Sequence, residues 1–156
     1  MSAAGFARCA LPDPWEIEGS ARFFLSLVLQ DGADQPDVVE GLRDLGFLVV
    51  EAAIEGKRGW TDFVELVVYY RGDLDGREEL WTQAHEAAHV IQELEGLPSE
   101  FHDEAITDQI ARAILMPEAP YRRLVRRHGA YHPIIDQKYG HVPPLHRLIR
   151  AAELGF

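Results

Sequence analysis

The chain has 156 residues, an apolar share of 47% and a net charge of −11. That length and composition fit one globular domain with a real core. The charge argues against a general nucleic-acid binder, and no apolar run approaches the roughly 18 residues of a membrane span. The single cysteine, Cys9, permits no disulfide within the chain and is given no role. A cytoplasmic protein is the expectation, since no signal peptide is recognised either.

Residues 1–20 carry Pro12, Pro14, Gly5 and Gly19 without a clear period, and read as an irregular arm. Trp15 and Ile17 would pin it to the body. Residues 21–29 are apolar and fit a buried strand or a short helix, which periodicity does not separate. Asp31 to Pro36 is a loop by composition. Val38 to Leu45 reads as a short helix ended by Gly46. Phe47 to Ile54 and Phe63 to Tyr70 read as two strands, paired as an antiparallel hairpin with a turn at 56–59.

The strongest helical signal is Arg77 to Glu95. Leu80, Ala84, Ala87, Ala88, Ile91 and Leu94 form an apolar stripe at steps of three and four. Gly96-Leu97-Pro98 stops it. A second helix is expected from about Phe101 to Met116, ended by Pro117, with Ala105, Ile106, Ile110, Ala113 and Ile114 on its apolar side. A third helix, residues 118–128, is basic. Two shorter ones at 131–139 and 143–153 have the length of a helix-turn-helix-like unit. Most acids lie before residue 110. Arg112, Arg122, Arg123, Arg126, Arg127, Lys138, Arg147 and Arg150 crowd the last third, as a solvated face or as a docking surface for an acidic partner or nucleic acid.

Inside the central helix stands His85-Glu86-Ala87-Ala88-His89, an instance of H-E-x-x-H. Two histidines four residues apart share a helical face and can offer two imidazoles to one ion, with Glu86 beside them as general base. Seven histidines and 15 glutamates would produce the motif by chance in about 3% of such chains, so context must decide. The context is a helix, small neighbours and a candidate third ligand. Glu104 lies on the next helix, four residues before Asp108. Glu104 would complete a His₂Glu zinc site, and Asp108 would accept the free ring N–H of one histidine. His102 and Asp103 compete with Glu104 for the third place. Tyr121, His128, Tyr131 and His132 are candidate oxyanion donors by residue type alone. The strand at 63–70 is a candidate for pairing with an extended substrate.

The combination of Gln83 to His89, Glu104 to Asp108, and Ile110-Ala111-Arg112-Ala113-Ile114-Leu115-Met116-Pro117 resembles the ImmA/IrrE family of metallopeptidases. The unit around Tyr139, Gly140, Val142 and Pro143 resembles that family's helix-turn-helix-like extension. The likeness covers roughly residues 60–155, and residues 1–59 carry no family signature. Ala88 stands in the spacer where members often have Gly, and Ile106 stands where an inner Glu is common.

The resemblance implies an α+β, zincin-like core. A small sheet would pack on the H-E-x-x-H helix in residues 1–117, followed by a helical subdomain in 118–156. It implies one Zn²⁺ held by His85, His89 and Glu104, with Glu86 catalytic, and an intracellular endopeptidase that cleaves a helix-turn-helix repressor. The alternative is a non-catalytic regulator that keeps the scaffold and binds a repressor, a partner protein or DNA through its basic C-terminal part.

Overall fold

A computed structural model describes residues 14–28 and 36–156. The elements run α1 (Pro14–Val28), α2 (Val38–Asp44), β1 (Leu48–Ala52), β2 (Gly59–Asp62), β3 (Val67–Arg71), α3 (Gly76–Leu94), a 3₁₀ turn (Ser99–Phe101), α4 (Glu104–Leu115), α5 (Glu118–His128), α6 (Pro133–Tyr139) and α7 (Pro144–Glu153). The class is mixed α+β, as expected.

The two long helices begin where the chain supplies caps. Asp75 accepts the N–H groups of Arg77 and Glu78, and Asp103 accepts those of Ala105 and Ile106. These donors have no partner inside a helix, so a carboxylate there satisfies them and favours the positive end of the dipole. The cap commits Asp103 Oδ1 to the backbone of α4.

Three expectations need correction. Residues 14–20 are helical, not an irregular arm, and the choice left open for 21–28 resolves as helix. Pro14 stands at the first helical position, where no N–H is needed. Ile17, Ala21, Phe24, Leu25 and Val28 are buried along one side of α1. Residues 1–13, the side chain of Trp15 and residues 29–35 lie outside the described residues.

The second correction splits the expected strand at 63–70. Residues 63–66 form a turn between β2 and β3, built by Asp62, whose Oδ1 accepts the N–H groups of Val64 and Glu65 at 2.9 Å. Leu66 completes it at φ 54, a left-handed conformation unusual for a residue with a side chain. The third correction concerns pairing. The sheet order is β1-β3-β2, with β1 and β3 parallel and β2 and β3 antiparallel. The hairpin therefore joins β2 to β3, and Gly59, expected in a turn, opens β2.

The sheet lies on α3 by one face only. Val49, Val68 and Thr61 stand in register across the strands, and Val68 is completely buried. On the opposite face Leu48, Val50 and Trp60 are exposed, and Trp60 stacks on Tyr69 with ring centroids 5.5 Å apart. Behind α3, its alanines Ala84, Ala87 and Ala88 have no solvent exposure. Small side chains let neighbouring helices approach closely. Leu94 and Ala105, expected on apolar faces, are exposed.

Core residues before and after position 117 belong to one cluster, which includes Tyr121, Val125, Ile135, Tyr139, Val142 and Ala151. Charged groups also bridge that position. Arg150 of α7 pairs with Glu18 of α1 at 2.7 Å and donates to the Met116 carbonyl at 3.1 Å. Arg112 of α4 makes two hydrogen bonds to Glu153 Oε1, at 2.8 and 2.6 Å. Among the described residues no helix is long and apolar enough to cross a membrane.

Candidate metal centre

His85 and His89 project from α3 toward the start of α4, where Glu104 stands. Their Nε2 atoms lie 3.2 Å apart. Glu104 Oε2 is 3.0 Å from His85 Nε2, and Glu104 Oε1 is 3.5 Å from His89 Nε2. One ligand atom from each residue falls within 4.8 Å of the other two, the arrangement of a possible three-residue cation site. Four ligands at about 2.0–2.1 Å around a tetrahedral zinc stand roughly 3.3–3.4 Å from one another. The three observed separations bracket that value, and two imidazoles with a carboxylate are a donor set zinc accepts. The residues fit the ion.

Each histidine uses its other nitrogen on a protein partner. His85 Nδ1 is 2.8 Å from Asp108 Oδ1, so Asp108 occupies the place expected of it. His89 Nδ1 is 2.8 Å from His102 Nδ1. His102, the competing ligand candidate, thus lies behind His89 instead of beside the three donor atoms.

Glu86 turns toward the sheet. Its carboxylate is buried, and Thr61 of β2 donates to Oε2 at 2.6 Å. Gly59, two residues earlier on the same strand, comes so close that a Cβ there would stand 2.7 Å from Thr82 Cγ2 and 2.8 Å from Glu86 Oε1. A side chain there would have to displace Thr82 or Glu86.

The charges of the site perturb one another. Burial pushes the Glu86 carboxyl up, the Thr61 hydrogen bond and the His85 cation pull it back, and the net direction is up. Burial pulls His85 down, but the hydrogen bond to Asp108 and the charges of Glu86, Asp108 and Glu104 outweigh it, so its pKa rises. Asp108 moves down despite partial burial, because His85 hydrogen-bonds to it and Arg112 and His146 lie near. Burial, with repulsion from His85 and His102, lowers His89 to about 3. One imidazole holds its proton more tightly than usual, and its neighbour has its lone pair free.

A cleft of ≈ 630 Å³ opens over these groups. Its walls include Lys57, Arg58, Trp60, Phe63 and Trp81 beside His85, Glu86, His89, Glu104 and Asp108. None of the four oxyanion candidates lines it. The Tyr121 side chain is fully buried, and its hydroxyl donates to the Arg147 carbonyl at 2.5 Å. His132 accepts the Ile134 N–H at the start of α6, His128 packs against the His132 ring, and Tyr131 is 85% exposed. The substrate-pairing suggestion for the strand at 63–70 also moves. β3 is the central strand, whereas β1 and β2 are the edge strands among the described residues, and β2 lines the cleft.

Sequence reasoning missed Thr61, Gly59 and Trp81. A threonine and a glycine in a short, turn-like segment give no local sign that they will meet a glutamate 25 residues later. His146 was also missed; it stacks on Trp81 with ring centroids 3.5 Å apart, and its pKa is lowered by burial and then by Arg112. A scan against protein-family models finds none that matches this chain, and a search of curated proteins finds no matching protein.

Proposed function

We propose that the protein is a zinc-dependent endopeptidase on a minimal zincin-like core, acting on an intracellular protein, with a helix-turn-helix repressor as the expected substrate. The observation that supports this most is the convergence of His85 Nε2, His89 Nε2 and the Glu104 carboxylate at separations suited to one tetrahedral ion, with Glu86 alongside. The resemblance noted in the sequence supports the choice of peptide hydrolysis.

Zinc at such a site supplies a Lewis acid that acidifies water and polarises a carbonyl. Everything else falls to this chain. His85, His89 and Glu104 hold the ion, and Asp108 orients the His85 ring. Glu86 takes a proton from the attacking water and returns it to the leaving amine. Its raised pKa brings it closer to the neutral range, where accepting and releasing a proton are both accessible. Thr61 occupies Oε2, which leaves Oε1 for the transferred proton. The free edge of β2 can pair with an extended peptide while Trp60, Phe63 and Trp81 supply apolar wall.

Metal analysis of the purified chain tests the site, and cleavage of a co-expressed repressor, read on a gel, tests the reaction. Wild type should carry one zinc, and Glu104→Ala should lose it. Glu86→Gln should keep the zinc and lower cleavage by roughly 10²- to 10⁴-fold. Unchanged zinc in Glu104→Ala would remove that residue from the site. Unchanged cleavage in Glu86→Gln would favour the alternative, a non-catalytic regulator. That alternative draws on the exposed Arg123, Arg126 and Arg127 of α5.

A further inference from the structure

The cleft has a direction. β2 runs alongside α3 in the same sense, and the contacts between them fix it. Arg58 Nη2 lies 3.4 Å from Glu78, in the first turn of α3. Gly59 stands against Thr82 and Glu86, and Thr61 donates to Glu86. Just past β2, the Phe63 ring meets that of His102, which stacks on His89. α4 runs the other way along the opposite wall, with Asp108 at His85 and Glu104 between His85 and His89. One end of the cleft is therefore where β2 and α3 begin, and the other is where α4 begins.

The main chain of β2 adds a register. The Arg71 N–H donates to the Arg58 carbonyl at 2.9 Å, and Trp60 stands opposite Tyr69 and Asp62 opposite Val67. Bonded and non-bonded pairs alternate along an antiparallel ladder, so residues 58, 60 and 62 turn their N–H and C=O groups to β3. Those of Gly59 and Thr61 point away from β3, to the outer edge of the sheet. These are the two residues that meet Glu86. An extended peptide added at that edge is held at 59 and 61, beside Glu86. At about 3.3 Å per residue, Lys57 lies roughly 7 Å farther along, toward the start of β2.

The two ends differ in charge. Lys57 and Arg58 line the first. Lys57 is exposed, with no ion pair among the described residues, and Arg58 holds only an exposed one, to Glu78. At the second, Glu104 is 73% exposed, and Asp103 beside it is exposed too. We propose that the cleft selects a peptide with an Asp or Glu within about three residues of the cut bond, on the side that lies toward Lys57. This names the substrate class of the site and rests on the peptidase reading above. Lys57 is the specificity-determining residue. Its ammonium takes the carboxylate, whereas the same carboxylate at the other end would face Glu104 and be turned away. The acid stands on one side of the cut only, because the two ends are unlike.

The test has two arms, both on the full chain. First, zinc-loaded wild type and Lys57→Glu digest a degenerate decapeptide library, and the new ends are read by mass spectrometry. Wild type should favour Asp and Glu over Lys and Arg about fivefold at one position near the cut, the size of one exposed ion pair. Lys57→Glu should reverse the preference at that position. Cleavage with no charge preference, or a preference that Lys57→Glu leaves in place, would overturn the inference and leave the peptidase reading standing. Second, Glu86→Gln is titrated into two labelled decapeptide pools, with Glu or Lys fixed at the centre, and binding is read by fluorescence anisotropy. The Glu pool should bind about fivefold more tightly, and the double variant with Lys57→Glu should prefer the Lys pool. Equal binding of the pools, or binding of neither, would overturn the inference. The binding preference without any cleavage by wild type would overturn the peptidase reading alone.

Discussion

One stripe of α4 carries Glu104, Asp108 and Arg112, and it joins two charged regions that are built in opposite ways. Around Arg112 the charges close on themselves. Arg112 and Arg150 face Glu18 and Glu153, two cations and two anions at bonding distance, and Arg150 is 2% exposed. Around Glu104 and Asp108 the account stays open. Glu86, Glu104 and Asp108 bring three carboxylates to two imidazoles, and no Lys or Arg among the described residues forms an ion pair with any of them. His85 responds by holding a proton more tightly than usual. A closed network stabilises the fold and offers nothing to a ligand. An open one gives up local stability and gains a site.

Breaking the closed region should show the largest effect. Arg150→Ala leaves the half-buried Glu18 and the Met116 carbonyl without their partner, and removing one side of a largely buried pair costs up to about 3–5 kcal/mol. Chemical denaturation should report that loss, while zinc per folded molecule stays at the wild-type value. A fall in zinc occupancy at full stability would mean the two regions are not separate.

Opening the site further should do the reverse. Asp108→Asn should weaken zinc roughly 10- to 100-fold in chelator competition, with a small change in thermal midpoint. It should also move the pH dependence. Zinc needs neutral His85, so affinity falls as pH drops through the raised pKa of that histidine. Asp108 favours the protonated ring and so helps to keep that pKa high. Without its charge the pKa falls, and the midpoint of the affinity curve moves to lower pH. A midpoint that moves upward would contradict the charge assignment.

The smallest effect is expected at Thr61. Thr61→Val removes a donor to Glu86 and should cost about 1 kcal/mol of catalysis. The hydrogen bond favours the ionised carboxylate, so its loss raises the Glu86 pKa. The acid limb of the kcat/KM profile should move to higher pH, and Thr61→Ser should restore it. An unmoved limb in Thr61→Val would show that the contact does not bear on the reaction.

The helices of the site were legible because their signals are local. A stripe of apolar residues in each helix and Gly96 after α3 need no tertiary information; the caps Asp75 and Asp103 are equally local but went unread, and the second helix begins at Glu104 instead of about Phe101. The same signal existed in α1, where Ile17, Ala21, Phe24, Leu25 and Val28 follow helical spacing, but prolines and glycines at 5–19 masked it. The turn at 63–66 lacks Gly and Pro inside an apolar run. Its one clue was Asp62, a residue that bonds to backbone just ahead of itself. Strand orientation was not legible, since parallel β1–β3 pairing depends on which edge the intervening β2 occupies. His85, His89, Glu104 and Asp108 meet as their spacing suggested. His102 shows the limit of spacing. It was a plausible ligand by residue type, and only its bond to the Leu97 carbonyl reveals which way the ring faces.

The approach of Gly59 to Glu86 has a consequence for how the cleft tolerates change. Most walls in a binding groove are lined by rotamers and can yield to a bulky guest. Here the spacing between strand and helix is set by main chain on one side and by a buried carboxylate on the other. That part of the wall yields only if Thr82 or Glu86 moves. Variation in what the cleft admits is easier at side chains that do not touch Glu86, such as Lys57, Arg58 and Trp60. A larger residue at position 59 would be felt first by the Glu86 carboxylate, and so by the site itself.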